Sequence, residues 1–261
     1  MTPAFADIDG ARIHHRFDGP AGAPVLMLSN SLGTDLSMWG PQVVALARSF
    51  RVLRYDTRGH GASSVTPGPY DVDRLGRDVV GLLDALAIDR VHFCGLSLGG
   101  VTGMWLGIHA PDRLRSLALC NTAAHIGSSD LWNARIERVR EGGMAAIAQG
   151  VIERWFTPGF LTREPDTAAA MRRMLERASA EGYIAGCAAV RDMDQREAIA
   201  GIRVPALVIA GAHDTATPAA DGRFLAAQIP AARYVEIDAA HLSNIEQVQP
   251  FTSALLSFLE P

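Results

Sequence analysis

The sequence predicts an α/β fold with a mostly parallel sheet flanked by helices and a helical cap inserted after the sixth strand. Three observations carry this. Short runs recur that are apolar throughout rather than alternating, as strands buried on both faces are. Segments with apolar residues at helical spacing separate them. From Thr122 to about Arg196 the alternation stops and only helical patterns occur, after which the rhythm resumes.

The elements follow in chain order. ADIDGARIHHRF (6–17) reads as a β-hairpin turning at Asp9-Gly10. PVLMLSN (24–30) is a buried strand, LSMWGPQVVALARSF (36–50) carries helical spacing, and RVLRYD (51–56) is a short strand. In residues 70–88, Leu75, Val79, Leu82, Leu83 and Leu86 share one face of an amphipathic helix. VHFCG (91–95) is a strand, Leu98 to His109 a helix and RSLALCN (115–121) a strand. After the helical stretch come the strand VPALVIAG (204–211), a helix near Asp221 to Gln228, the strand ARYVEID (232–238) and a last helix from about Asn244 to Leu259. The division expected is a core of residues 1–121 and 197–261 and a helical cap of residues 122–196.

Composition narrows the function. The 261 residues are 48% hydrophobic and 20% charged, ordinary for a globular enzyme. A net charge of −4 without a basic tract speaks against nucleic acid. An acidic substrate would need locally placed arginines, because the global field does not attract it. No apolar run approaches the roughly 20 residues of a membrane span. The N-terminal stretch lacks a charged region followed by an apolar one, so no signal peptide is expected. The three cysteines have no paired or metal-like spacing, and Cys94 and Cys120 lie in strand-like runs as small buried hydrophobes. These features together suggest a cytoplasmic protein without structural disulfides.

The stretch CGLSLGGV (94–101) carries the chemistry. Gly-x-Ser-x-Gly is short, but here the serine, Ser97, falls where a buried strand passes directly into a helix. A sharp turn there lifts the hydroxyl clear of the sheet, and Gly95 and Gly99 remove side chains that would clash. The helix start supplies free N–H groups and partial positive charge. Serine needs a base. Of eight histidines, His241 in EIDAAHLSNIEQ follows the last strand in a polar loop. His92 lies within a strand as a packed or edge residue, and His14 and His15 sit in the hairpin, read as far from the carboxyl ends of the strands. Asp214 in GAHDTATP follows the preceding strand and is placed to orient the imidazole. The backbone N–H groups of Leu98 and of Leu32, in NSLGTDLSMW, are the candidate oxyanion donors.

With these residues in place, and with DTRGHGAS (56–63) after the fourth strand, the chain resembles the α/β-hydrolase superfamily, which uses the order serine, acid, histidine. Arg58 and His60 of that loop are expected to brace it. A closer likeness is to the 3-oxoadipate enol-lactonase family of the β-ketoadipate route. SNSLGTDLSMW, YDTRGHGAS, FCGLSLGGVTGMWLG, AHDTATP and the cap run GYIAGCAAVRDMD carry it, with Asn30-Ser31 replacing the superfamily's usual His-Gly. The resemblance implies catalytic Ser97, Asp214 and His241, a small anionic lactone as substrate, and no metal or cofactor. A substrate carboxylate then calls for a cap cation. Trp132 and Arg135, three apart on one helix, share a face and can wall the pocket and pair with the carboxylate. Arg138 and Arg191 are alternatives, and the competing expectation is that these arginines are solvated or pair with neighbours such as Glu137 and Asp194. Rival readings on the same fold are a cofactor-free, haloperoxidase-like perhydrolase, a general carboxylesterase, and a ligand-sensing protein with little turnover.

Overall fold

The computed structural model describes residues 4–259. Eight strands form one sheet: β1 (Ala4–Ile8), β2 (Ala11–Asp18), β3 (Val25–Ser29), β4 (Arg51–Tyr55), β5 (Val91–Leu96), β6 (Leu114–Cys120), β7 (Ala206–Gly211) and β8 (Arg233–Ile237). Their spatial order is β1-β2-β4-β3-β5-β6-β7-β8, with β2 antiparallel to both of its neighbours and every other pair parallel. The centre of the sheet explains the apolar runs: every residue of β7 is buried, and β3 and β5 expose almost nothing. The hairpin turn is left-handed at both Asp9 (φ 42°) and Gly10 (φ 77°), the geometry that a tight two-residue hairpin requires.

Helices cover both faces. α1 (Gly40–Leu46) lies with the C-terminal helix on one side. α2 (Val72–Ala85) and α3 (Leu98–His109) pack together on the other. Five helices then intervene between β6 and β7: α4 (Ser129–Gly142), α5 (Ala145–Trp155), α6 (Pro158–Arg163), α7 (Pro165–Glu176) and α8 (Ala180–Asp192). α9 (Ala219–Gln228) joins β7 to β8. The terminal helix expected from Asn244 is broken at Gln247 into α10 (Ser243–Glu246) and α11 (Val248–Leu259). Among the described residues, no helix is long and apolar enough to cross a membrane, and the three cysteines are free and buried.

The inserted helices rest on the core through α8 and through the end of α5, where Leu242 N donates to Trp155 O at 3.0 Å. A Cβ added to Gly182 would lie 2.0 Å from the carbonyl oxygen of Gly59, so helix and loop meet backbone to backbone. Tyr70 N donates to Ala185 O at 3.2 Å. Beneath this contact the loop after β4 is braced as expected: Arg58 pairs with Asp78, both buried, and also donates to the carbonyl of Ile8 (3.2 Å). His60 is buried beside α8. His92 is packed in the central strand β5, where Nδ1 meets Ser116 Oγ at 2.8 Å and the ring stands edge-on to Phe50.

The structure corrects one placement. His14 is not far from the carboxyl ends of the strands. Because β2 runs antiparallel to β4, the first half of β2 lies beside the end of β4, and His14 Nδ1 meets Asp56 Oδ2 at 2.7 Å.

Candidate active site

Ser97 is the single residue between β5 and α3. The reversal holds it at φ 57°, ψ −114°, a conformation that costs about 1–3 kcal/mol and persists only when its surroundings enforce it. They do so through three hydrogen bonds. Ser97 N donates to Cys120 O (2.9 Å), and Ser97 O accepts from Val101 N (2.9 Å) and Thr122 Oγ1 (2.8 Å). The flanking glycines are sterically required. A Cβ on Gly95 would stand 2.1 Å from Gly99 O, and one on Gly99 would stand 2.2 Å from Ser29 O.

Asp214 follows β7 and is buried. Its Oδ1 accepts from the amides of Ala216 (2.8 Å) and Thr217 (3.0 Å). Its Oδ2 accepts from Thr217 Oγ1 (2.7 Å) and Asn121 Nδ2 (3.0 Å) and meets His241 Nδ1 at 2.8 Å. Burial pushes the carboxyl pKa up, but the His241 charge and these hydrogen bonds outweigh it and hold the group at about 2. An ionised Asp214 can only accept, so the Nδ1 proton belongs to His241 and Nε2 is left as the basic nitrogen. Among the described residues His241 makes its hydrogen bonds through Nδ1. Ser97 and His241 are not hydrogen-bonded to each other in this structure; both line the same cavity. Such bonds often tighten only when substrate is bound.

Leu32 lines that cavity too, while Leu98 N opens α3 beside Ser97. Among the described residues neither amide hydrogen is taken by a protein acceptor. The Leu32 loop is fixed from below by Asn30: its Nδ2 donates to Tyr55 O (2.9 Å), its Oδ1 accepts from Trp39 Nε1 (3.0 Å), and its carbonyl accepts from Gly99 N (3.0 Å). The arrangement provides a hydroxyl on a strained backbone, an imidazole backed by a carboxylate, and two unclaimed peptide hydrogens.

The cavity measures about 430 Å³ and lies between these loops and the inserted helices. Trp132 and Arg135 both line it, with the Arg135 guanidinium 4.8 Å from the Trp132 ring centroid. Arg138 also lines it. Arg191 does not: it is engaged with Asp192 and Asn133. Arg191 thus follows the competing expectation of a neighbouring acid, whereas Glu137 bonds Arg140 and Asp194 bonds Arg196, which leaves Arg135 and Arg138 without those partners. One lining residue escaped the sequence reading. Arg154, half-buried on α5, faces the same space. Burial, then the Arg135 and Arg138 charges, push its pKa below the ordinary arginine value. The missed signal was an arginine continuing the stripe Ile147, Val151, Arg154 at helical spacing. Among the described residues none of Arg135, Arg138 and Arg154 has an acidic partner. No group of three His, Cys, Asp or Glu side chains there is arranged to hold a metal.

A nucleophile elbow, an acid after β7 and a histidine after β8 on this sheet define a class, and comparison with known sequences agrees. The chain belongs to the α/β-hydrolase fold family, whose model matches residues 24–248. More particular relatives follow. The chain is 47% identical over 237 residues to 3-oxoadipate enol-lactonase 2 of Acinetobacter baylyi, spanning 91% of this chain and 89% of that protein. It is 42% identical over 251 residues to enol-lactonase 1 of the same organism, spanning 96% and 94%. Among solved structures, the enol-lactonase from Burkholderia xenovorans LB400 superposes with a TM-score of 0.98 at 50% identity, covering 99% of this chain and all of that one.

Proposed function

We propose that the protein is a cytoplasmic serine hydrolase that opens 3-oxoadipate enol-lactone to 3-oxoadipate in aromatic-compound catabolism. Residues 1–121 and 197–261 serve as catalytic core and residues 122–196 as the cap over it. The observation that carries the reading is the single cavity in which Ser97 and His241 face three arginines without acidic partners. Such a space suits a small anionic ester and disfavours a neutral one. The enol-lactonase relatives, similar over nearly the whole chain, support the substrate.

His241 Nε2 takes the proton of Ser97 Oγ as that oxygen attacks the lactone carbonyl. The oxyanion is met by the Leu32 and Leu98 amides, each such donor being worth about 2.7–4 kcal/mol of barrier. Collapse breaks the ring C–O bond and expels an enolate oxygen, which His241 protonates; the enol then tautomerises to the ketone. Water, deprotonated by His241, attacks the acyl ester, releases the carboxylate and returns the proton to Ser97. Throughout, Asp214 holds the ring and its charged form. Arg135, against Trp132, takes the remote carboxylate, with Arg154 beside it.

The test is hydrolysis of freshly generated enol-lactone beside neutral esters, with peroxide-dependent bromination measured in parallel. Lactone turnover should dominate, and Ser97→Ala should lower kcat by about 10⁴-fold or more. Undiminished turnover by the variant would remove Ser97 as nucleophile, and preference for the neutral ester or for peroxide would remove the substrate.

A further inference from the structure

Three consecutive residues at the end of β6 reach all three loops of the site. Cys120 O and Thr122 Oγ1 hold the backbone of Ser97, as described above. Between them lies Asn121, 1% exposed and left-handed at φ 44°. Its own amide donates to Ile209 O in β7 at 2.8 Å. Its side chain leaves the strand and enters the space between the loops after β7 and β8. There Nδ2 donates to Asp214 Oδ2 (3.0 Å) and to Ala240 O (3.1 Å), while Oδ1 accepts from Ser243 Oγ (2.5 Å).

Both amide hydrogens and the carbonyl oxygen are thus spent. The orientation of the carboxamide is chemically fixed: turned over, it would set an oxygen against a carboxylate and a carbonyl. The oxygen it meets on Asp214 is the one facing His241 Nδ1, and Ala240 is the residue before His241. One side chain therefore sets the carboxylate and the backbone that carries the imidazole.

We infer that Asn121 is a positioning residue for the hydrolytic reaction, aligning Asp214 and the His241 loop with the Ser97 elbow through its carboxamide. The inference rests on the proposed roles of Ser97, Asp214 and His241. A bracket that merely held loops together would affect folding and binding alike. This one bears on the step in which imidazole gains charge, so its loss falls on kcat.

Two substitutions separate the contributions. Asn121→Gly keeps the left-handed backbone without strain and removes the carboxamide. Asn121→Asp keeps the shape and sets a second carboxyl beside Asp214, where two such groups cannot both ionise. The charged groups facing Asp214 are His241 and, on α9, Asp221, itself under the influence of His125. Both variants are assayed on the enol-lactone and on a neutral p-nitrophenyl ester, so the outcome does not depend on the lactone assignment. In Asn121→Gly, kcat should fall about 10- to 100-fold on both with KM changed less than about threefold. The low-field proton resonance of His241 Nδ1–H should broaden or vanish. In Asn121→Asp the acid limb of kcat/KM should move to higher pH. If neither variant folds, Ser243→Ala, which removes one bond to the carboxamide, should give a smaller loss of kcat with KM kept.

Folded variants with wild-type kcat and an unmoved acid limb would overturn the inference. So would losses in kcat and KM that simply track a lowered Tm. Ser97→Ala is the control: if it retains turnover, the underlying reading falls, whereas its inactivity beside an unaffected Asn121→Gly sinks this inference alone.

Discussion

The loops at the ends of β5, β7 and β8 and the helices above them treat their charged groups in opposite ways. Asp214 is buried with both oxygens filled by protein donors, and its partner ring has one nitrogen claimed. On the facing wall Arg135, Arg138 and Arg154 share a cavity with no carboxylate from the protein among the described residues. The first group is finished by folding; the second is left for a ligand to finish. Preorganised dipoles and charges aid a reaction because they need no rearrangement as charge develops. A charge meant to select a ligand must remain unsatisfied until the ligand arrives, and it depresses the affinity of anything that cannot satisfy it.

The comparison breaks most sharply at Asp214. Asp214→Asn should lower kcat by about 10⁴-fold, since the imidazole loses both its orientation and the partner of its cationic form. The same substitution has a signature in stability. The native carboxyl sits at about 2 against an ordinary 3.8. A depressed acid contributes stability that is fully present above its ordinary value and drains away as pH falls through the depressed one. The stability difference between wild type and variant should therefore shrink, by on the order of 2 kcal/mol, as pH drops through that interval. Urea denaturation at about pH 7 and again near the lower end measures it. A difference that is constant with pH would mean the folded carboxyl is not depressed.

On the other wall the effects should be smaller and should fall on binding. Arg135→Ala and Arg154→Ala should each raise KM for the enol-lactone about 10- to 100-fold, the range for hydrogen bonds to a charged group, while sparing a neutral ester. Steady-state kinetics on the two substrates decides between the arginines: the one whose loss discriminates more strongly is the anchor. Equal losses on both substrates would show that the residue shapes the pocket instead. Smallest should be Arg138→Ala, because that side chain is exposed at the rim. A change in kcat/KM of about two- to threefold is expected, disappearing as salt is raised.

The two walls also differed in how far they could be read in advance. The strands of the central sheet announce themselves because burial on both faces demands unbroken apolar runs, and Ser97, Asp214 and His241 each follow such a run. That position after a core strand, together with the chain order of the superfamily, is what nominates them. The inserted helices carry no comparable constraint. Arg154 follows Glu153 in a surface-looking sequence, and only the apolar stripe it extends marks the face it occupies. Asn121 closes a strand run without distinction, because its partners lie 93 and more residues away. For His14 the sequence misleads for a topological reason: one antiparallel strand reverses which end of the sheet a residue occupies, and the apolar pattern is blind to direction.

The contact of Gly182 with Gly59 has a consequence for how this enzyme's pocket can change. With α8 seated at backbone distance on the loop after β4, and Tyr70 bonded to its carbonyl, the base of the inserted helices has no slack. The far rim is different: Leu131, at the start of α4, is 67% exposed, and α4 leans on α8 and α5. A change in the width of the mouth is therefore less constrained at α4 than at α8. Drift in substrate size would accumulate around residues 127–135, while position 182 stays confined to the smallest side chain.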